Sequence, residues 1–174
     1  MFASLASMTI TTFLVILLAR TAWHKVDSFL ETLGFAQGYD IVPERAVPAI
    51  IRALTVVEGG AILALLIPVT RSFGGLVAAG LFAGYGVLMA WALAKAKTRI
   101  DCGCGGLPQI VSGFTLARNG ILAALALTVA LVPVTTVPPA GAVLAIAAAL
   151  VFSASYAVIE KLASHQQFIR FGGR

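Results

Sequence analysis

Long apolar runs separated by short polar breaks dominate this chain, and five of them stand out. The first covers about residues 2–19 ("FASLASMTITTFLVILLA") and the second about 47–67, including "IIRALTVVEGGAILALLI". The third covers about 73–93 ("FGGLVAAGLFAGYGVLMAWAL") and the fourth about 113–132 ("GFTLARNGILAALALTVALV"). The fifth covers about 140–159 ("AGAVLAIAAALVFSASYAVI"). Each is close to the ~20 residues that carry a helix across a ~30 Å hydrocarbon layer. In lipid a helix satisfies its own backbone, whereas a loop or an open strand does not. The pattern predicts an all-α polytopic membrane protein. About five transmembrane helices would form a compact bundle and a single membrane domain.

The breaks differ in length. "PVTRS" (68–72) and "PVTTVPPA" (133–140) are short, so spans two and three, and spans four and five, should form hairpins. The stretch 20–46 is longer and more polar. In "RTAWHKVDSFLETLGF", Arg20, His24, Asp27 and Glu31 recur at helical spacing. Either span one continues past the membrane, or an amphipathic helix lies on its surface. Trp23 suits the interfacial aromatic belt. Gly80 and Gly84 form a small-xxx-small pair that permits close helix approach. Packing within a compact bundle is the plain expectation for this pair and for Gly59, Gly60, Gly74, Gly75 and Gly86, with dimerisation through the Gly80/Gly84 face as the alternative. No Lys or Arg precedes Arg20 and no small-x-small site closes the first run, so it reads as a retained span rather than a signal peptide.

Composition agrees with the pattern. The 174 residues are 60% hydrophobic and 11% charged, and mean hydropathy is +1.00. Soluble domains carry roughly 25% charged residues. The net charge of +5 does not point to nucleic acid, because no basic run or basic–aromatic patch exists. The basic residues stand mostly at span ends, where they meet headgroups and set orientation. Arg45, Lys95, Lys97, Arg99, Lys161, Arg170 and Arg174 fall on one side with loop 95–112, and Arg71 on the other. The positive-inside rule therefore predicts a cytoplasmic loop.

Ionisable residues within the apolar runs are the first chemical signal. Glu58 lies about ten residues past Pro48, or ~15 Å along a helix. Arg118 and Asn119 sit inside span four, and Arg20, His24 and Lys25 near the end of span one. An ionisable group at membrane depth is costly and has a partner or a role. Glu58 should pair with Arg118 or with the Arg20/Lys25 group. Such a pair acts either as a clamp that fixes helix arrangement or as a proton relay.

The second signal is the loop "AKAKTRIDCGCGGLPQ", which holds both cysteines, Cys102 and Cys104. A disulfide needs Cα atoms about 4.4–6.8 Å apart with converging side chains. Helical i, i+2 positions point apart, so the backbone must bend, and Gly103 permits that. Gly105, Gly106 and Pro108 keep the following stretch from starting a helix early. The Cys102–Cys104 ring would be small and strained, and strained exposed disulfides exchange readily. Lys95, Lys97 and Arg99 favour thiolate, while Asp101 opposes it. Redox exchange is the leading reading. Binding of Cu(I) by two soft thiolates and unreactive loop cysteines are the alternatives. With no further cysteine and no nearby histidine, a closed zinc site is not expected.

Several stretches in order resemble the methylamine utilisation protein MauE family, within the broader DoxX-like membrane proteins. They are "HKVDSF" after span one, "YDIVP" (Tyr39 to Pro43), Glu58 before Gly59 and Gly60, "DCGCGG", and "RNG" (Arg118 to Gly120). Together they cover roughly residues 10–130. The family often has an aromatic residue after the second cysteine, where this chain has Gly105. The resemblance implies a multi-pass protein of the bacterial inner membrane that works with a thioredoxin-like partner. Its archetype supports maturation of the disulfide-rich small subunit of an amine dehydrogenase, an exported substrate. The layout is also similar to vitamin K epoxide reductase, a helical bundle with a redox cysteine pair before its fourth span. That analogy implies a four-helix core plus a fifth span, and a quinone that re-oxidises the pair. On this reading Cys102 and Cys104 exchange, Gly103 bends, and Lys97 and Arg99 tune the thiolate. Lys25, Glu58, Arg118 and Asn119 form the internal polar support. A small transport or metal-handling protein and a non-catalytic scaffold remain the alternative classes.

Overall fold

The computed structural model describes residues 2–95, 111–133 and 137–172, with side chains through 165. Lys97, Arg99, Asp101, Cys102, Gly103 and Cys104 lie outside the described residues. The described residues form helices joined by short non-helical stretches, with no strand among them: α1 (Phe2–Asp27), α2 (Phe29–Gly38), α3 (Val47–Leu66), α4 (Arg71–Ala94), α5 (Gly113–Leu131) and α6 (Pro139–Gly172). Among the described residues, five helices are long and apolar enough to cross a membrane, and α2 is the short exception.

Span one continues as α1 to Asp27, and a separate ten-residue α2 follows a break at Ser28. The chain leaves α2 through Asp40, whose φ of 53° is left-handed. Aspartate tolerates that conformation because its short side chain can bond locally. Pro48 occupies the first turn of α3, where a missing N–H costs nothing. Helix α5 starts sharply: the Ser112 N–H donates to Thr115 Oγ1 at 2.9 Å, and the Thr115 N–H donates to Ser112 Oγ at 3.4 Å. This reciprocal cap satisfies two otherwise orphaned donors at the point where the cysteine loop ends.

Each span buries one stripe. On α1 it passes through Ser7, Thr11, Leu14, Leu18 and Lys25, and on α3 through Val47, Ile51, Glu58, Ala61 and Leu65. On α5 it passes through Thr115, Arg118, Asn119, Leu122, Ala126 and Val129. Spacings of three, four and seven put each set on one helical face. Helix α4 packs most extensively on α5, while α1 touches α3, α5 and α6. The main core joins Leu14, Leu18, Ala61, Phe82, Leu122 and Val129. Outward faces carry large apolar side chains such as Val56, Leu63, Val87 and Val151, as lipid contact requires. Several threonines within the spans return their hydroxyls to their own helix; Thr11 donates to the Ser7 carbonyl and Thr55 to that of Ile51.

The glycines divide, so the expectation that they pack the bundle holds for some of them only. A Cβ on Gly74 would lie 2.6 Å from the Leu65 nitrogen, and one on Gly75 2.8 Å from the Ala130 nitrogen. Those two let α4 approach α3 and α5 backbone to backbone. Gly59, Gly60, Gly80 and Gly84 face open space, with nothing within 4 Å of an added Cβ. The Gly80/Gly84 pair therefore does not bring two helices of this bundle together.

Candidate functional site

Four of the polar residues expected in the spans, Lys25, Glu58, Arg118 and Asn119, are buried, and the three charged ones fall into two ion-paired groups. Lys25 is on the same stripe of α1 as Leu18, two turns further on, so its side chain enters the bundle rather than the headgroups. Its Nζ lies 2.7 Å from Glu58 Oε1. The Tyr85 hydroxyl of α4 donates to the same oxygen at 2.7 Å. The Lys25 ammonium also sits 5.3 Å from the centre of the Tyr85 ring, within cation–π range. Glu58 is fully buried, and through Oε1 it ties α1, α3 and α4 together. Its Oε2 has no hydrogen-bond partner among the described residues. Of the two partners expected for Glu58, the fold selects the Lys25 group over Arg118.

Arg118 pairs elsewhere. Its Nη1 donates to Glu160 Oε1 at 2.7 Å, and Arg20 Nη1 donates to Glu160 Oε2 at 2.9 Å. One carboxylate from α6 thus bridges α1 and α5. The Arg118 and Glu160 side chains are only 8% and 9% exposed, whereas Arg20 is 39% exposed. Charges this deep are stable only when paired. Asn119 donates its amide to the Thr115 carbonyl at 2.9 Å and contacts Met89 Sδ at 3.5 Å, joining α5 to α4. Tyr85 borders a void of about 20 Å³ beside Arg20, Arg118 and Glu160. It is therefore shared between the two groups.

Glu160 and Tyr85 were not expected from the sequence. Glu160 precedes Lys161 at the end of an apolar run, so the two read as an ordinary interfacial charge pair. Tyr85 lies in a glycine-rich helix where an aromatic reads as lipid-facing or core. The signal that finds both is position: each falls on the face of its helix that meets a buried charge.

The network lies toward the end of the bundle that holds the cysteine loop. Ala92, near the end of α4, and Val111, just before α5, pack in one cluster with Tyr39 and Met89. The two chain ends that bracket the loop are thus held side by side. At the opposite end Arg71 performs a different task. Its Nη2 donates to Ser7 Oγ at 2.7 Å and to the Val129 and Val132 carbonyls at 3.2 and 3.1 Å. A guanidinium there neutralises the carbonyl end of α5.

Fold and site together define a polytopic helical membrane protein pinned internally by ion pairs. The family model for methylamine utilisation protein MauE matches residues 3–132. The chain belongs to the MauE family. It is 34% identical over 161 residues to methylamine utilization protein MauE of Methylophilus methylotrophus, covering 90% of this chain and 81% of the relative. It is 33% identical over 146 residues to the protein of the same name from Methylorubrum extorquens, covering 80% and 77%. The Paracoccus denitrificans relative, also so named, is 31% identical over 120 residues, covering 68% and 64%. No solved structure matches the chain.

Proposed function

We propose that this chain is a thiol–disulfide redox protein of the bacterial inner membrane. Cys102 and Cys104 cycle between dithiol and disulfide, supporting maturation of exported disulfide-containing proteins together with a thioredoxin-like partner. The observation that carries the reading is the pairing of the only two thiols across Gly103, in a loop bracketed by the packed residues Ala92 and Val111. Membership of a family named for methylamine utilisation supports a role in the amine dehydrogenase system.

The exchange balances as follows. A substrate thiolate attacks one sulfur of the Cys102–Cys104 disulfide; a mixed disulfide forms and the other cysteine leaves as thiolate. The second substrate thiolate then attacks the mixed disulfide. The substrate gains a disulfide and the pair is left as a dithiol, having received two electrons and two protons. The disulfide of the thioredoxin-like partner removes them by the reverse exchange. Lys97 and Arg99 favour the thiolate on the leaving side, while Asp101 limits that effect.

Exposed Arg45, Lys95 and Lys161 lie on the loop's side of the bundle, and the charge rule assigns that side to the cytoplasm. Exported substrates fold on the other side. A membrane-impermeant thiol reagent, applied to intact cells with and without reductant, separates the two arrangements. Labelling of Cys102 and Cys104 in intact cells is the result expected of a direct oxidant of exported proteins. Labelling only after lysis rejects that version and leaves an inward-facing relay. In the same cells Cys102→Ser should abolish disulfide formation in the exported substrate. Normal substrate disulfides in that variant would point to a scaffold instead.

A further inference from the structure

A cavity of about 170 Å³ lies between α2, α3 and α4, and the thiol reading does not use it. Its lining runs from buried to exposed. Lys25, Ile51 and Met89 are buried, whereas Ile41, Val42 and Ile50 are exposed apolar residues. The cavity is therefore closed at the Lys25 end and opens past an apolar rim. Its wall includes the rings of Phe35 and Tyr39 and the thioether of Met89. Aromatic and sulfur surfaces favour a flat ring over a plain acyl chain. The volume suits that reading, since a void of roughly 150 Å³ takes up a benzene-sized ring.

The closed end sets the head-group chemistry. Lys25 is 4% exposed and its charge is already balanced by Glu58 at 2.7 Å. An anionic head would find no surplus positive charge. A neutral oxygen acceptor would find a donor, because an ammonium has three N–H groups and this carboxylate oxygen takes one. Tyr39 and Met89 belong both to the cavity wall and to the cluster holding Ala92 and Val111. The cavity therefore adjoins the base of the cysteine loop.

We propose that this cavity binds the ring of a neutral, lipid-soluble carbonyl compound of the quinone class, with Lys25 donating to a carbonyl oxygen and the apolar tail leaving past Ile50. The residues present fit such a group: a buried donor at one end, aromatic walls, and an apolar mouth. The binding claim is separate from the thiol chemistry, and Cys102→Ser/Cys104→Ser protein should bind equally well.

The full chain supplies its own reporter. Trp91 packs beside the Tyr39–Met89 cluster, and Trp23→Phe removes the other tryptophan. Decyl-1,4-benzoquinone titrated into this protein in lipid nanodiscs should quench Trp91 fluorescence saturably. Ala36→Phe, which fills the cavity, should weaken binding at least tenfold. Lys25→Met/Glu58→Leu, which removes the donor without stranding a charge, should weaken it about tenfold. In wild-type protein, decylbenzene and decanoate should compete at least tenfold less well than the quinone. Non-saturable quenching, or quenching unchanged by both variants, overturns the site. Equal competition by decylbenzene makes it a plain apolar cavity, and equal competition by decanoate contradicts the neutral head.

Discussion

The Lys25–Glu58 contact decides most at the residue scale, because both groups are buried. Taking two ions into a low-dielectric interior is costly, and removing one partner leaves the other uncompensated. Lys25→Met should therefore lower stability by about 3–5 kcal/mol, read by denaturant unfolding in detergent. Lys25→Met/Glu58→Leu should recover much of that loss, since an apolar pair strands no charge. If the double variant is as unstable as the single one, the contact is not the clamp described here. The sequence disclosed part of this network. Glu58, Arg118 and Lys25 stood out because a charge within or beside an apolar run is expensive. Which acid met which base did not follow, because partners from four helices come together only after the spans are arranged. Glu160 was hidden by its neighbour Lys161, which makes it look like a residue at the membrane surface.

Among the elements, α4 is the organising helix, and its small residues do two different jobs. Gly74 and Gly75 lie under 3 Å from backbone atoms of α3 and α5 once a Cβ is added. Gly80 and Gly84 have open space. Gly75→Val should force α4 from α5 and cost about 1–3 kcal/mol, the range for overpacking. Gly80→Ala should be neutral or stabilising by up to about 1 kcal/mol through helix propensity. Thermal unfolding of the two variants checks the contrast, and equal losses would contradict the packing. All these glycines look alike in the sequence, and helical periodicity does not say which neighbour each will meet. Span number and helix type were legible because length and hydropathy alone determine them. The extension of α1 to Asp27 was open because Arg20–Asp27 is polar enough to be surface. The burial of Lys25 in that extension needs Glu58 opposite it.

At the scale of the whole molecule, the two ends of the bundle are built differently. One end is closed by Arg71, which ties α1, α4 and α5 through a single guanidinium. The other end carries both ion-paired groups, the apolar-rimmed cavity and the chain ends of the cysteine loop. The chain segments that bracket the cysteine loop are therefore packed against each other at the second end. Family membership was legible from ordered short stretches. The cavity was not, because its wall combines residues from α2, α3 and α4 that no single stretch brings together. The central claim is that Cys102 and Cys104 form one exchangeable pair. It is tested most directly by equilibrating the purified protein across a series of reduced-to-oxidised glutathione ratios and trapping free thiols with a mass-adding maleimide. The account predicts a single two-electron transition, in which both labels are gained together as the buffer becomes reducing, and its loss in Cys102→Ser. Two labels at every ratio would contradict it.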